Sequence, residues 1–319
     1  MAARDPGSGT GPAMTVDRSS AVDENNSRQE DVDRTRQWTV LELLRVTTEF
    51  FAERGIASAR LDAECLLAHA LGCERLALYV DFEKPVFEKE RDCFRELVRK
   101  RAIDRMPVAL LLGEKEFWSL SFEVNSHVLT PRPETETLVE CAIGHLRDPG
   151  TSYRVLDLGT GSGCVALSIA SERPGTKVVA TDISKAALDV AARNAKSLGL
   201  EERVTFLEGD LFDTVPGALF DLVVSNPPYI GRSEADSLEP ELEHEPKEAL
   251  FGGNDGLDVI RALVAGVSEH LVSGGRVAIE IDPRQEAATR ELFQRAGLSN
   301  FETLRDLSKR SRVATGTRA

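Results

Sequence analysis

The chain has 319 residues, a formal net charge of -14 and an apolar fraction of 41%. That length allows two domains of ordinary size with a buried core, and the acidic balance excludes broad, sequence-independent attraction to nucleic-acid phosphates, which needs clustered Lys and Arg. Five cysteines, Cys65, Cys73, Cys93, Cys141 and Cys164, form no CxxC pair, so neither a zinc site nor a disulfide framework is expected and they read as reduced, mostly buried thiols.

No apolar run approaches the roughly 20 residues of a membrane span, and the N-terminus has no apolar signal segment. The expectation is a cytoplasmic protein without membrane contact. Residues 1–37 lack Leu, Ile, Phe, Trp and Tyr and are expected to form a disordered tail, because they offer too little apolar surface to offset chain ordering. Ordered structure should begin at "TVLELLRVTTEFFAERG", where Thr39 and Glu42 form a capping box and Gly55 supplies a stop. Leu43, Val46, Thr47 and Phe50 would be its apolar face. A second helix, with Leu61, Cys65, Ala68 and Leu71 inward, and a third over 89–103, with Cys93, Leu97 and Val98 inward, would complete a helical bundle spanning 38–108.

In "EFWSLSFEVNSHVL" the apolar positions suggest a β-hairpin turning at Asn125 and Ser126, within a linking element over 109–130. From Tyr153 short β-branched runs alternate with helical stretches, which predicts right-handed crossovers and a doubly wound parallel sheet within a domain over 131–319. The closing "FETLRDLSKRSRVATG" should add an antiparallel hairpin at one sheet edge.

"DLGTGSGC" ends the first of these strands and opens a helix. Glycines there let the backbone approach a ligand, and the helix N-terminus offers N–H groups to an anionic or polar one. A dinucleotide fingerprint would carry a third glycine where this chain has Cys164; the GxGxG spacing of Gly159, Gly161 and Gly163 is that of methyltransferases using S-adenosylmethionine. Asp182 ends the second strand, where a carboxylate can accept from ribose hydroxyls; it could equally cap the next helix with Ser184. Asp210 ends the third and could face an adenine amino group, with Leu211 and Phe212 as apolar cover, or serve only its turn.

Asn226-Pro227-Pro228-Tyr229 ends the fourth strand, expected beside the first. Two prolines fix the backbone and bar α geometry at the residue before them, holding the Asn side chain and the carbonyls of Asn226 and Pro227 as a rigid set of acceptors. Such a set suits an NH2 group of a planar amide or base, whose lone pair must be turned toward an electrophile. Tyr229 could stack on that plane. An activated methyl needs neither metal nor strong base.

The stretches "SARLDAECLLAHALG", "RMPVALLLGEKEFWSLSFEV", "TPRPETETLVE", "VLDLGTGSGCVALSIA", "SNPPYI", "HEPKEALFGGNDGLDVIR" and "DLSKRSRVA" together resemble the PrmC (HemK) family of protein-(glutamine-N5) methyltransferases, from Thr39 to Val313. The NPPY corner alone is shared with adenine-N6 DNA methyltransferases, and a family acting on a ribosomal-protein glutamine is similar too, but "PRPETE" joined to a helical bundle is specific. The resemblance implies a seven-stranded, Rossmann-like methyltransferase domain and methylation of the glutamine in the Gly-Gly-Gln motif of peptide-chain release factors, docked by the bundle. It implies S-adenosyl-L-methionine held by Gly159, Thr160, Gly161, Ser162, Gly163, Asp182, Asp210, Leu211 and Asn226. It places the acceptor at Asn226, Pro227, Pro228, Tyr229, Phe117 and Arg132, with Asn226, Pro227 and Tyr229 as the catalytic set. Two positions depart from the family pattern. Asp282 stands where glycine is common, so a left-handed turn there would have to differ, and Leu211 stands where an aromatic residue is usual.

Overall fold

The computed structural model describes residues 37–319; all of the expected tail except Gln37 lies outside them. The described residues fall into two compact units, one ending at Val98 and the other beginning at Arg99.

In the first unit, strand β1 (Trp38–Thr39) leads into helix α1 (Val40–Glu53), followed by α2 (Ala59–Leu71), strand β2 (Pro85–Val86) and the start of α3 (Glu88–Ala102). The capping box forms as read: the Glu42 amide donates to Thr39 Oγ1, and the Thr39 amide donates to Glu42 Oε2, an arrangement that stabilises a helix start by about 1 kcal/mol. The buried stripe, however, is Val40, Leu44, Thr47 and Phe51, while Val46 is exposed. Apolar residues lie on two adjoining stripes of α1, and packing against α2 selects the neighbour of the expected one.

α2 likewise buries Ala63, Leu66 and Leu67 and exposes Leu61. The same helix takes in Glu64, 2% exposed, because Arg60, Arg75 and the Tyr79 hydroxyl all meet its carboxylate. On α3 the buried apolar residues are Phe94 and Ala102, and Cys93 is exposed. The thiols as a set depart from expectation: only Cys164 is buried, and Cys65, Cys73 and Cys141 are half-buried.

The second unit opens with a short helix α4 (Val108–Leu112) and the hairpin β3 (Glu114–Phe117) and β4 (Leu120–Glu123). Phe117 pairs directly with Leu120, so the turn is Trp118-Ser119, both at positive φ, and not Asn125-Ser126. That left-handed pair matches the twist of two-residue hairpins. Helix α5 (Glu136–His145) follows, and then the alternating run: β5 (Arg154–Leu158), α6 (Cys164–Glu172), β6 (Lys177–Asp182), α7 (Lys185–Ser197), β7 (Val204–Glu208), β8 (Phe220–Ser225), α8 (Lys247–Leu250), α9 (Asp258–Val267), β9 (Leu271–Glu280), α10 (Glu286–Arg295), β10 (Leu298–Arg305) and β11 (Ser311–Arg318).

The seven strands run in the order β10-β11-β9-β8-β5-β6-β7. β5 to β9 are parallel, and β11 is antiparallel to both β9 and β10. The expected edge hairpin is therefore present, with its second strand turned inward. Alternation along β5 sends Val155 into the core under α5 and α6, and Leu156 and Leu158 into the core under α9 and α10. Each of these side chains is 1% exposed or less and contributes about 1.5–3 kcal/mol of burial. The chain runs from β5 toward one edge, then returns to place β8 on the other side of β5. The crevice at the carboxyl ends of β5 and β8 is thus the switch point where open α/β sheets receive ligands.

Candidate functional site

At that switch point the Ser225 hydroxyl donates to the Leu158 carbonyl at 2.7 Å, tying together the last residues of β5 and β8. The loop 159–163 leaves one strand end and the corner 226–229 leaves the other. Gly159, Gly161 and Gly163 all have positive φ, but they do different work. A β-carbon on Gly163 would meet Leu167 at 3.0 Å and Ala191 at 3.1 Å, whereas one on Gly159 or Gly161 would meet nothing within 4 Å. Gly163 seats α6 on α7, and the other two present bare backbone to open space.

Beneath the loop the Thr160 hydroxyl donates to Asp157 at 2.7 Å. Burial pushes the Asp157 carboxyl up to about 7, against that hydrogen bond and with the Asp182 charge adding to the rise. Ser162 is buried, and its carbonyl accepts from Asn194 Nδ2 at 2.9 Å. Asn194, on α7, also exchanges hydrogen bonds with the Glu123 backbone, so one buried amide locks the loop to the hairpin. A polar residue on the buried stripe of α7 was the sequence signal for it.

Asp182 ends β6 and holds the backbone on both sides of the strand end, the glycine loop and the start of α7. Its Oδ2 accepts from the Gly161 amide and its Oδ1 from the Ser184 amide, each at 2.9 Å. Each oxygen keeps a second lone pair for a further donor, and burial raises its pKa. Asp210 is exposed just after β7. Leu211 has φ +43, and its carbonyl lies 3.4 Å from the Thr181 hydroxyl. Phe212 packs on the same core as Leu211, with its ring stacked on His270 at 4.3 Å and lying against Gly266 of α9.

The corner is held from two sides. Segment 250–256 lies along it, with the Ile230 amide donating to Leu250 and the Gly252 amide to Ile230, both at 3.0 Å. β-carbons on Gly252 and Gly256 would fall 2.2 Å from the Pro228 carbonyl and 2.1 Å from the Tyr229 carbonyl, an approach only glycine permits. Gln285 Nε2 donates to the Tyr229 carbonyl at 3.0 Å and to the Gly256 carbonyl at 3.1 Å. Gln285 is placed by the turn at Asp282, which has φ -69 and caps that turn by accepting from the Arg284 amide. No left-handed geometry is needed at Asp282, so its departure from glycine is accommodated.

Below the corner, Asn226 Nδ2 donates to Thr135 Oγ1 at 3.1 Å, which leaves Oδ1 as an acceptor. The Tyr229 hydroxyl donates to Glu280 Oε1 at 3.3 Å. Glu280 is fully buried and pushed up to about 7 by desolvation, against the neighbouring Thr135 hydroxyl and Arg312. Burial and the Glu280 charge raise the Tyr229 phenol pKa. Arg132 pairs with Glu245 at 2.7 Å; the Glu245 side chain is 1% exposed and that of Arg132 35%. Phe117 is 2% exposed and meets Phe122 edge-on, a packing position in the core beneath the hairpin. Thr135, Glu280, Gln285 and Asn194 are the residues the sequence did not single out.

Comparison with known proteins adds three findings. Residues 42–113 match the PrmC N-terminal domain and residues 135–254 the methyltransferase small domain. A protein of Rhodopirellula baltica named release factor glutamine methyltransferase is 46% identical over 289 residues, covering 88% of this chain and 97% of that one. One of the same name from Xylella fastidiosa (strain Temecula1) is 48% identical over 257 residues, covering 81% and 92%. Among solved structures, the hMettl16 catalytic domain in complex with MAT2A 3'UTR hairpin 6 matches with a TM-score of 0.50, covering 74% of this chain and 84% of that one; at 14% identity the likeness concerns the fold alone.

Proposed function

The chain belongs to the family of release factor glutamine methyltransferases, and from that premise we propose that it methylates the N5 side-chain amide nitrogen of the glutamine in the Gly-Gly-Gln motif of peptide-chain release factors, using S-adenosyl-L-methionine. The observation that carries this reading is the Ser225–Leu158 tie. It joins the ends of β5 and β8, from which the glycine loop and the proline corner leave, and this supports adjacent donor and acceptor sites as direct transfer requires.

The residues present fit the methyl donor. Open space over Gly159 and Gly161 admits a ligand to the backbone, and the spare lone pairs of Asp182 suit ribose hydroxyls. In this reading Gly159, Thr160, Gly161, Ser162, Gly163, Asp182, Asp210, Leu211 and Asn226 hold it. When bound, it supplies a methyl group already activated by a sulfonium, and no metal is called for.

The chain's own part is orientation. A carboxamide nitrogen is a poor nucleophile because its lone pair is delocalised. Asn226 Oδ1 and the Pro227 carbonyl accept its two N–H groups, Tyr229 fixes the plane of the amide, and Pro228 keeps the array rigid. The lone pair then lies along the transfer line without solvent reorganisation. The proton leaves a nitrogen made acidic by its new bond, so no strong base is required. Phe117 and Arg132 are assigned to the acceptor side on family likeness, with Glu245 restraining Arg132.

The bundle, 38–108, is assigned to docking the release factor, 109–130 to the link and 131–319 to transfer. No direct contact with nucleic acid or membrane is proposed, and the cytoplasm is the proposed location. Among the described residues no helix is long and apolar enough to cross a membrane. The test is methyl transfer to a purified release factor with the modified residue mapped by mass spectrometry. A methyl on the Gly-Gly-Gln glutamine is the expected result, and an unmodified glutamine refutes the reading.

A further inference from the structure

Glu280 is a carboxylate with no solvent access at the end of β9, directly beneath the acceptor corner. Its Oε1 takes the Tyr229 hydroxyl at 3.3 Å, and its Oε2 has no hydrogen-bond partner among the described residues. On the other side of the carboxyl stands the Thr135 hydroxyl, which itself accepts from Asn226 Nδ2 at 3.1 Å. A carboxylate so deeply buried is a poor stabilising device, because its desolvation outweighs what the Tyr229 and Thr135 hydroxyls and Arg312 return, and the group is pushed up to about 7. A position that served packing alone would be better filled by an apolar side chain. What this carboxylate does meet is the Tyr229 hydroxyl directly and the Thr135 hydroxyl that holds Asn226.

We propose that Glu280 is a positioning residue for the acceptor corner: it fixes the Tyr229 ring by its hydroxyl and, through Thr135, fixes the Asn226 amide with Oδ1 turned toward the incoming nitrogen. The proposal rests on the methyl-transfer reading for its consequence, but not for the contacts themselves. Thr135 belongs to "PRPETE" and Glu280 to "AIEI", so two motifs remote from the corner in sequence acquire one shared task. The charged and titratable groups facing the carboxyl are Tyr229 on the corner, Arg312 on β11, Glu134 beside Thr135 and the Cys164 thiol at the start of α6, and Arg132 faces the phenol. Arg312 favours the charged carboxylate and Glu134 opposes it, while burial holds the group up to about 7. Its protonation near neutral pH would remove the charge that strengthens the Tyr229 hydrogen bond, leaving a neutral and weaker acceptor at Oε1.

The test uses the full chain. Glu280→Gln should lower kcat for release-factor methylation roughly tenfold, with KM for the release factor and the dissociation constant for S-adenosylmethionine within twofold of the parent. Wild-type kcat should fall as pH drops through 7, and that limb should be absent in the variant. Tyr229→Phe should lose a similar factor, and the double variant little more than either alone, the non-additivity of residues acting as one unit. Thr135→Val, which breaks the Asn226 side of the same contact, should give the same split between kcat and KM if Glu280→Gln folds poorly. Additive losses, or wild-type kcat and pH profile in Glu280→Gln, overturn the proposal.

A readout independent of the acceptor is 19F NMR of the chain with its tyrosines replaced by 3-fluorotyrosine, the position-229 resonance being identified by its loss in Tyr229→Phe. It should titrate near pH 7 in the parent and not in Glu280→Gln; a resonance flat from pH 6 to 8 in the parent overturns the contact. A chain that titrates in this way yet leaves the release factor unmodified would refute the acceptor reading while supporting the contact.

Discussion

Gly256→Ala puts the clamp over the acceptor corner under a defined load. Gly256 has φ +75, and a β-carbon there would lie 2.1 Å from the Tyr229 carbonyl oxygen and 2.8 Å from Gln285 Nε2. Contacts under 3.0 Å are essentially unknown for real β-carbons, so the Tyr229 carbonyl must retreat by about 1 Å. The left-handed backbone costs about 1 kcal/mol with a methyl attached, and displacing the Gln285 hydrogen bond costs about 1 kcal/mol more. A loss of about 2–3 kcal/mol corresponds to a fall in Tm of roughly 5–10 °C for a unit of this size. Activity should suffer further, because an error near 1 Å in the placement of reacting groups lowers rates roughly 100-fold.

The assay is kcat with release factor as acceptor, read beside S-adenosylmethionine affinity and Tm. Gly217→Ala is the control: Gly217 has φ +68 and nothing within 4 Å, so it should lose about 1 kcal/mol and keep its activity. If Gly256→Ala retained wild-type kcat, the claim that segment 250–256 sets the geometry of the corner would be wrong.

Asn226→Ala should reduce turnover by at least roughly 100-fold, as removal of a preorganised polar group does, while cofactor affinity measured by calorimetry, to which Asn226 is one of nine contributors, falls far less; an equal fall in both would refute its acceptor role. Asp182→Asn keeps an acceptor for one loop amide but loses the charge and one acceptor oxygen. Cofactor binding should weaken roughly tenfold, a loss of about 1.4 kcal/mol, and unchanged calorimetric affinity would contradict the ribose role. Asp157 is raised from 3.8 to about 7, so the folded chain holds a proton there that the unfolded chain releases. Its contribution to stability is complete below about pH 4 and is lost as pH rises through about 7. Tm should therefore decline between about pH 4 and 7 and level off above, and Asp157→Asn should decline less over that range; parallel curves for the two proteins would refute the assignment.

The parallel sheet was legible because strands buried on both faces read as unbroken β-branched runs. "KVVATD" is β6 and "CVALSIASE" is α6, residue for residue. The bundle faces were not legible, since α1 offers two adjoining apolar stripes and only its neighbour decides between Leu43 and Leu44. Nor was the hairpin turn: Trp118-Ser119 adopts a left-handed geometry usually announced by Asn or Gly, and Asn125-Ser126 imitated that signal.

In the site, contiguous motifs could be read and long-range supports could not. The glycine loop, Asp182 and the proline corner announce themselves locally. The Thr135–Asn226 and Tyr229–Glu280 contacts join residues 91 and 51 positions apart, and no local periodicity marks either partner. Gln285 reaches the corner across 56 positions, through a turn that its own neighbourhood made look like a departure. Phe212, read as cover with Leu211, also stacks on His270, 58 positions away, a contact no local pattern announces.

In the proposed reading the corner receives a planar NH2 group, and the identity of its bearer rests on the rest of the chain. The most direct measurement is therefore a competition: the chain and labelled S-adenosylmethionine with equimolar release factor, ribosomal proteins of the large subunit and an adenine-containing DNA duplex, each analysed for methyl content. The account predicts label on the Gly-Gly-Gln glutamine of the release factor and background elsewhere. Label on the duplex or on a ribosomal protein, with the release factor unmodified, would contradict it.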